Sequence, residues 1–138
     1  MATINSRYLG ELRTEQTHTA SGQTFITDAP IDNLGRGEAI SPTDSVCAAL
    51  SACMMTLMGI AAQTHAINLD GLRANVTKYM ASDPRRIRRI DICFYGWTHI
   101  PNDRQKHILE RAAKTCPVAL SLHPDIEQNT VFDYSSVK

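Results

Sequence analysis

The spacing of hydrophobic positions changes along this chain. The longest weakly polar stretch is residues 40–65, and we expect the other elements to pack around it. Residues 46–62 include no charged side chain, and their many Ala and Leu residues favour helix. Ser41 and Pro42, with Asp44 in the first turn, form a helix-start signal. Because a helix that is apolar on all sides is buried, the pattern predicts a long buried central helix.

Residues before this helix alternate as strands do. Residues 7–28 are interpreted as a meander, with one extended run, a Ser-Gly turn and a second strand around Phe25. Arg13 is placed on the first of these strands. A loop rich in Gly, Asn, Asp and Pro, residues 29–40, then delivers the chain to the helix. Arg36 of this loop is therefore expected beside the first helical turn.

Residues after the helix return to a period of two. Residues 69–80 and 85–97 alternate apolar and polar positions, and the second run is rich in β-branched and aromatic side chains, so both predict strands. The short Ser-Asp-Pro turn between them predicts a hairpin. The arginine cluster within residues 85–89 is interpreted as a solvated, charged strand edge.

The period changes again at Pro101, after which residues 103–115 predict a helix. Pro117 cannot comfortably continue that helix, but it suits the first position of a second, short helix. Cys116 would then lie at the joint between the two helices. Residues 126–134 favour a closing strand.

The order of these elements predicts an α+β fold, and the chain length predicts a single domain over residues 1–138. The formal net charge is zero, with 14 basic and 14 acidic residues, which argues against a nucleic-acid-binding protein.

The N-terminus has no apolar stretch of signal-peptide length, and the central apolar run falls short of the ~20 residues that span a bilayer. We therefore expect a cytoplasmic protein that does not cross a membrane.

Four cysteines are the candidates for chemistry: Cys47, Cys53, Cys93 and Cys116. Without a signal peptide they are not expected to form a secreted disulfide framework, and no CxxC or HxxxH spacing suggests a metal site. Cys53 and Cys116 are singled out as a redox pair, in which one thiolate is oxidised to a sulfenic acid and the other thiol resolves it to a disulfide. The alternative is that they only pack as small hydrophobic residues, as Cys47 and Cys93 are interpreted to do.

The two singled-out thiols are expected to have different environments. Cys116 precedes a helix N-terminus, where unpaired N–H groups favour the thiolate. Cys53 lies in mid-helix, where apolar surroundings raise the pKa of a thiol, so it needs an external cation held by a carboxylate. The candidate cations are Arg13 and Arg36, and the candidate carboxylates are Glu38 and Asp44.

Two motifs resemble those of a known family. SPTDSVCAALSAC, residues 41–53, resembles the SP-x-[DE] and AAL-x-AC signature of the OsmC/Ohr family of hydroperoxide-reducing proteins. AAKTCPVALSL, residues 112–122, resembles that family's second cysteine motif, A-x-x-CPV. The order of the predicted elements is also similar to that of the family over about residues 7–134.

This resemblance implies a fold, a site and an activity. The fold is the OsmC-like fold, with antiparallel sheets around a long buried central helix, in an intertwined homodimer whose sites lie at the subunit interface. Cys53 would be the peroxidatic thiol and Cys116 the resolving thiol of a peroxidase for organic peroxides, extending to hydrogen peroxide. The family uses dithiol reductants, often lipoyl groups on proteins, and no bound cofactor or metal.

One position departs from the family pattern. The best-studied branches place a glutamate ten positions before the reactive cysteine, where this chain has Thr43, with Asp44 one step later. A shift of one residue rotates a side chain by ~100° around a helix, so the family's arginine–glutamate clamp is not transferred to Asp44. This departure favours a rival interpretation, a non-catalytic small-ligand-binding or scaffold dimer of the same fold. A third, a cysteine hydrolase, would need a histidine base that no pattern around Cys53 predicts.

Overall fold

The computed structural model describes residues 1–135 of the 138-residue chain. The chain divides into two compact units, Met1–Val46 and Cys47–Lys138. The boundary falls inside the long helix, so the start of that helix belongs to the first unit. The single domain expected over residues 1–138 stays a prediction.

The first unit contains a three-stranded antiparallel sheet in the order β1-β2-β3. Its strands are β1 (Ile4–Gly10), β2 (Arg13–His18) and β3 (Thr24–Asp28). Glu11 and Leu12 both have positive φ and make the tight turn between β1 and β2. Such hairpin turns usually use Asn, Asp or Gly, which is why the sequence did not reveal this one. The placement of Arg13 on the first strand is therefore wrong, because Arg13 opens β2.

The central helix, α1 (Pro42–His65), starts as the sequence predicts. Ser41 Oγ accepts a hydrogen bond from the Asp44 N–H at 3.1 Å, and the Asp44 carboxylate accepts one from the Ser41 N–H at 3.1 Å. These reciprocal bonds form a capping box. Asp44 therefore stabilises the start of the helix.

The second unit contains a sheet in the order β4-β5-β6, built from β4 (Arg73–Ala81), β5 (Arg86–Tyr95) and β6 (Glu127–Phe132). β4 and β5 pair antiparallel, as the predicted hairpin requires. One pairing differs from the expected antiparallel arrangement, because β6 runs parallel to β5. The chain between these two strands passes through two helices, and a crossover of that length permits parallel pairing.

The two helices of this crossover are α2 (Asp103–Lys114) and α3 (Pro117–Ser121). Cys116 is the N-cap of α3 and Pro117 is its first residue, as the sequence predicts. α3 is shorter than expected, because the backbone becomes extended at Leu122.

The apolar core lies in the second unit and draws on its helices and on β5. Its most deeply buried large side chains are Leu50, Met58, Ile90, Ile92, Phe94, Trp97 and Leu109. The sequence predicted core positions on each of these elements except at Trp97, which follows the end of β5.

Burial along α1 is one-sided in this chain. Its buried residues form a single stripe at helical spacing: Cys47, Leu50, Met54, Met58 and Ala62. On the other side Ala48, Ala52 and Thr56 are exposed, and Ile60 is 55% exposed. The helix is thus less buried than its all-round apolar pattern predicts. By length and composition alone α1 could cross a membrane, a test that the core helix of a soluble protein also passes.

Candidate active site

Cys53 and Cys116 lie side by side in the second unit. Cys53 is half-buried midway along α1, and Cys116 is fully buried at the start of α3. Both are free thiols, and Cys53 is close enough to Cys116 to raise the pKa of the Cys116 thiol. The fold therefore brings together the two residues that the sequence singled out. Their assignment as catalytic residues stays a prediction.

The Cys116 thiol is held in its protonated form. Burial raises its pKa most, and the neighbouring Cys53 thiol raises the pKa further. The N–H groups of Ala119 and Val118 at the start of α3 oppose this rise, and the Ala119 N–H donates to Cys116 Sγ at 3.5 Å. Helix-terminal N–H groups do favour the Cys116 thiolate as expected, but burial outweighs them.

Arg13 is the centre of a charged cluster in the first unit. Its guanidinium donates two hydrogen bonds to the Asp28 carboxylate, Nε to Oδ1 at 2.7 Å and Nη2 to Oδ2 at 2.8 Å. Nη2 also reaches the Glu38 carboxylate at 3.3 Å, and the Glu38 N–H donates to Asp28 at 3.2 Å. Asp28 is only 1% exposed, and the hydrogen bonds from Arg13 hold its pKa below the usual value of an aspartate.

Sequence reasoning missed Asp28 as the main partner of Arg13. The two residues face each other across the β2–β3 pairing, so only the register of the sheet brings them together. An arginine and an aspartate on neighbouring strands could have indicated the pair. The register of those strands could not be predicted, because the turn between β1 and β2 was not recognised.

The other clamp candidates have different partners. Glu38 does contact Arg13, whereas Asp44 caps α1. Arg36 pairs with Glu11 in the turn between β1 and β2. Arg13 belongs to the first unit and the thiol pair to the second, so the cation that activates Cys53 stays a prediction.

Cys47 is 4% exposed in the buried stripe of α1, and Cys93 is a half-buried free thiol on β5. The expectation of a solvated strand edge for the arginine cluster is wrong, because β5 is the middle strand of its sheet. Arg89 is half-buried there, forms an ion pair with Asp91 at 2.6 Å, and its guanidinium lies over the Tyr79 ring. Within residues 1–135, no group of three or more His, Cys, Asp or Glu side chains is placed to hold a metal ion.

Comparisons with known proteins show which family and which solved structures this chain resembles. The family model described as OsmC-like protein matches residues 35–130. A solved structure from Psychrobacter arcticus, named for osmotic stress induction and a detoxification response, is 44% identical in sequence. It superposes with a TM-score of 0.92 and covers 96% of each chain. A search of curated proteins finds no match.

More distant structures share the fold. One is an organic hydroperoxide resistance protein OsmC from Legionella pneumophila, with 14% identity, a TM-score of 0.71 and coverage of 96% of this chain and 98% of its own. Another is an organic hydroperoxide resistance protein from Elizabethkingia anophelis, with 15% identity, a TM-score of 0.68 and coverage of 98% of both chains. At these identities the likeness concerns the fold alone.

Two three-stranded sheets, a long apolar helix and a pair of adjacent free thiols define an α+β protein with a dithiol site. The chain belongs to the OsmC-like protein family. The family and the α+β fold expected from the sequence are thereby confirmed.

Proposed function

We propose that the protein is a thiol-dependent peroxidase that reduces organic hydroperoxides, extending to hydrogen peroxide, through a Cys53–Cys116 dithiol/disulfide cycle in defence against oxidative stress. The observation that carries this proposal is the closeness of two free thiols, Cys53 and Cys116, that lie far apart in sequence. Family membership adds support, as do the fold neighbours named as organic hydroperoxide resistance proteins.

The proposed cycle balances as follows. The Cys53 thiolate attacks one oxygen of the hydroperoxide, so that an S–O bond forms, the O–O bond breaks and an alcohol leaves after taking up a proton. The Cys116 sulfur then attacks the sulfur of the Cys53 sulfenic acid, so that an S–S bond forms and the S–O bond breaks, and the hydroxyl leaves as water with the Cys116 proton. An external dithiol reduces the disulfide by two exchange steps and is itself oxidised to a disulfide.

The different environments of the two thiols support this division of roles. Cys53 is the more exposed of the pair, so it is the one that a peroxide can reach. Cys116 is buried and retains its proton, so it acts after the first step, as a resolving thiol does. Met54 and Met58, on the same helix as Cys53, provide apolar surroundings that favour organic peroxides.

We also propose that the protein works in the cytoplasm as a homodimer, with a dithiol or lipoyl-bearing protein as reductant. Support for the dimer comes from the exposed side of α1, where Ala48, Ala52 and Ile60 would allow a second chain to approach closely. A dithiol reductant requires the reducing conditions of the cytoplasm. Light scattering in solution is expected to give twice the mass of one chain.

The peroxidase proposal is tested by mass spectrometry of the reduced protein after one equivalent of cumene hydroperoxide, with unreacted thiols alkylated afterwards. A loss of two hydrogens that maps to a Cys53–Cys116 linkage is expected. The Cys53→Ser variant is expected to lose peroxide turnover by at least about a thousandfold, because the nucleophile is gone. In Cys116→Ser, the Cys53 sulfenic acid should persist and be trapped by dimedone.

The matched control is Cys93→Ser, which removes a half-buried thiol outside the pair and should leave turnover unchanged. Cys53 that stays unmodified in excess peroxide would contradict the peroxidase and favour the non-catalytic binding or scaffold dimer. Thr43 favours that second candidate, because it leaves the position of the family's clamp glutamate without a carboxylate.

A further inference from the structure

A second candidate site lies in the second unit, in a cleft of about 730 Å³ beside the end of α1 and the exposed face of α2. Its lining side chains come from both helices: His65, Asp103, Arg104, His107, Ile108 and Arg111. A volume of this size falls within the range of small-molecule sites in proteins.

Three of these residues form a stripe along α2. Arg104, His107 and Arg111 are spaced by three and four positions, so they share one face of the helix, and all three are exposed. The Cα atoms of Arg104 and Arg111 are about 10 Å apart along the helix axis. A ligand group seated over His107 therefore lies between two guanidinium groups.

The charges of the cleft are not balanced. Elsewhere in the chain, Arg13 and Arg89 are neutralised by Asp28 and Asp91. In the part of the chain that the structure describes, neither arginine of the cleft has an ion pair or a side-chain hydrogen bond. The carboxylate of the cleft, Asp103, lies in the first turn of α2, where the positive end of the helix stabilises it. Two guanidinium groups thus face one carboxylate.

The α1 side of this cleft lies away from the thiol pair. Cys53 and His65 lie about 18 Å apart along the axis of α1. His65 is therefore not expected to touch a peroxide bound at Cys53. On α2, Arg111 lies five residues before Cys116, so binding in the cleft is measured separately from the thiol cycle.

We propose that the cleft binds a small organic anion, with its carboxylate or phosphate group held between Arg104 and Arg111 and its apolar body against Ile108. Arginine binds both anionic groups through paired N–H donors. The hydrocarbon stems of the two arginines extend the apolar surface that Ile108 begins.

An NMR titration of the isotope-labelled full chain with phenyl phosphate, and separately with benzoate, tests this proposal. Saturable amide shifts are expected at the end of α1 and along α2, with a Kd of about 1 mM or tighter for at least one probe. The stronger of the two identifies the preferred anionic group. Benzyl alcohol, which has the ring without the charge, is expected to bind at least about tenfold more weakly.

Substitutions at exposed positions make the test specific. Arg104→Gln and Arg111→Gln are each expected to weaken binding about fivefold, and the double variant about twentyfold. Arg111→Lys keeps the charge but not the paired donors, so it should weaken binding less than Arg111→Gln. The matched control is Arg88→Gln, which removes one exposed charge from β5 and should leave binding unchanged.

Several results would overturn the proposal: no saturable shift, shifts that map outside α1 and α2, or equal binding of benzyl alcohol. An Arg88→Gln variant that weakens binding as much as Arg111→Gln would also overturn it, since the effect would then be that of overall charge. None of these results bears on Cys53 or on the peroxidase cycle, which is measured separately by disulfide mapping.

Discussion

The two compact units bury different kinds of side chain. In the second unit the buried residues are hydrophobic, from Cys47 to Cys116. In the first unit the buried side chains recorded are polar or charged, namely Thr27, Asp28 and Ser41. Large apolar residues of the first unit, such as Phe25 at 46% and Leu34 at 90%, are exposed.

This difference indicates that the two units are stabilised in different ways. The second unit has a core that removes apolar surface from water, which is the main favourable contribution to folding. The first unit relies on paired strands and on the Arg13–Asp28 cluster, whose contribution depends on charge. It follows that core truncations should affect the second unit most, and that loss of the Arg13–Asp28 cluster should affect the first unit in a pH-dependent way.

The largest effect is expected from truncation of the core. Leu109 is fully buried on α2, so Leu109→Ala should lower the free energy of unfolding by about 2–5 kcal/mol through lost burial and the cavity left behind. Leu34→Ala, at a 90% exposed position of the first unit, is the matched control and should change it by about 0.5 kcal/mol or less. Urea denaturation measures both. Equal losses of unfolding free energy in the two variants would contradict the difference in burial between the two units.

A smaller effect is expected from the charged cluster of the first unit. Arg13→Met leaves the 1% exposed Asp28 carboxylate without its main partner and should lower the melting temperature by several degrees at neutral pH. The folded pKa of Asp28 is depressed, so its stabilisation is present above the unfolded value and is lost as pH falls through the folded pKa. Melting curves of the wild type and of Arg13→Met should therefore converge in acid.

The control for this variant is Arg7→Met. Arg7 pairs with Glu15 at 3.3 Å on an exposed part of the same sheet, so its loss should matter little at any pH. Equal effects of the two substitutions would show that the Arg13 cluster has no special role. If Arg13 is also the activating cation expected from the sequence, Arg13→Met should lower peroxide turnover while Arg7→Met does not.

Elements with local signals were predictable from the sequence. The start of α1 depends on Ser41 and Pro42, and the start of α3 depends on Pro117, so neighbouring residues alone determine both. The hairpin of β4 and β5 follows from alternation and a short turn. Cys53 and Cys116 were singled out as a pair from their positions, in mid-helix and before Pro117, and the resemblance to a family assigned their separate roles.

Features that depend on distant residues were not predictable. β2 was missed because the Glu11-Leu12 turn lacks the residues that usually mark such turns. The Arg13–Asp28 pair depends on strand register, which no local pattern reveals. The exposed side of α1 was not predicted, because a run of apolar residues does not indicate which side of the helix is covered by other elements.

The smallest effect is expected at the thiol pair, at the alkaline end of the pH scale. An unfolded thiol titrates near pH 8.5, and the folded pKa of Cys116 is raised by burial and by the neighbouring Cys53 thiol. Below about pH 8 both states keep the proton, so this thiol adds no pH dependence. Above it the unfolded chain loses the proton first, so stability should fall as pH rises towards the folded pKa.

Urea unfolding of the reduced protein at several pH values above neutrality measures the slope of the free energy of unfolding against pH. Cys116→Ala should remove part of it, whereas Cys93→Ala removes a half-buried thiol outside the pair and should leave it unchanged. A slope as steep in Cys116→Ala as in the wild type would mean that this sulfur is not the one that retains its proton. The expected result would assign an alkaline pH dependence to Cys116 and an acid one to Asp28. Burial at Cys116 then suppresses a charge, whereas the ion pair at Asp28 maintains one, as the Arg89–Asp91 pair of the second unit also does.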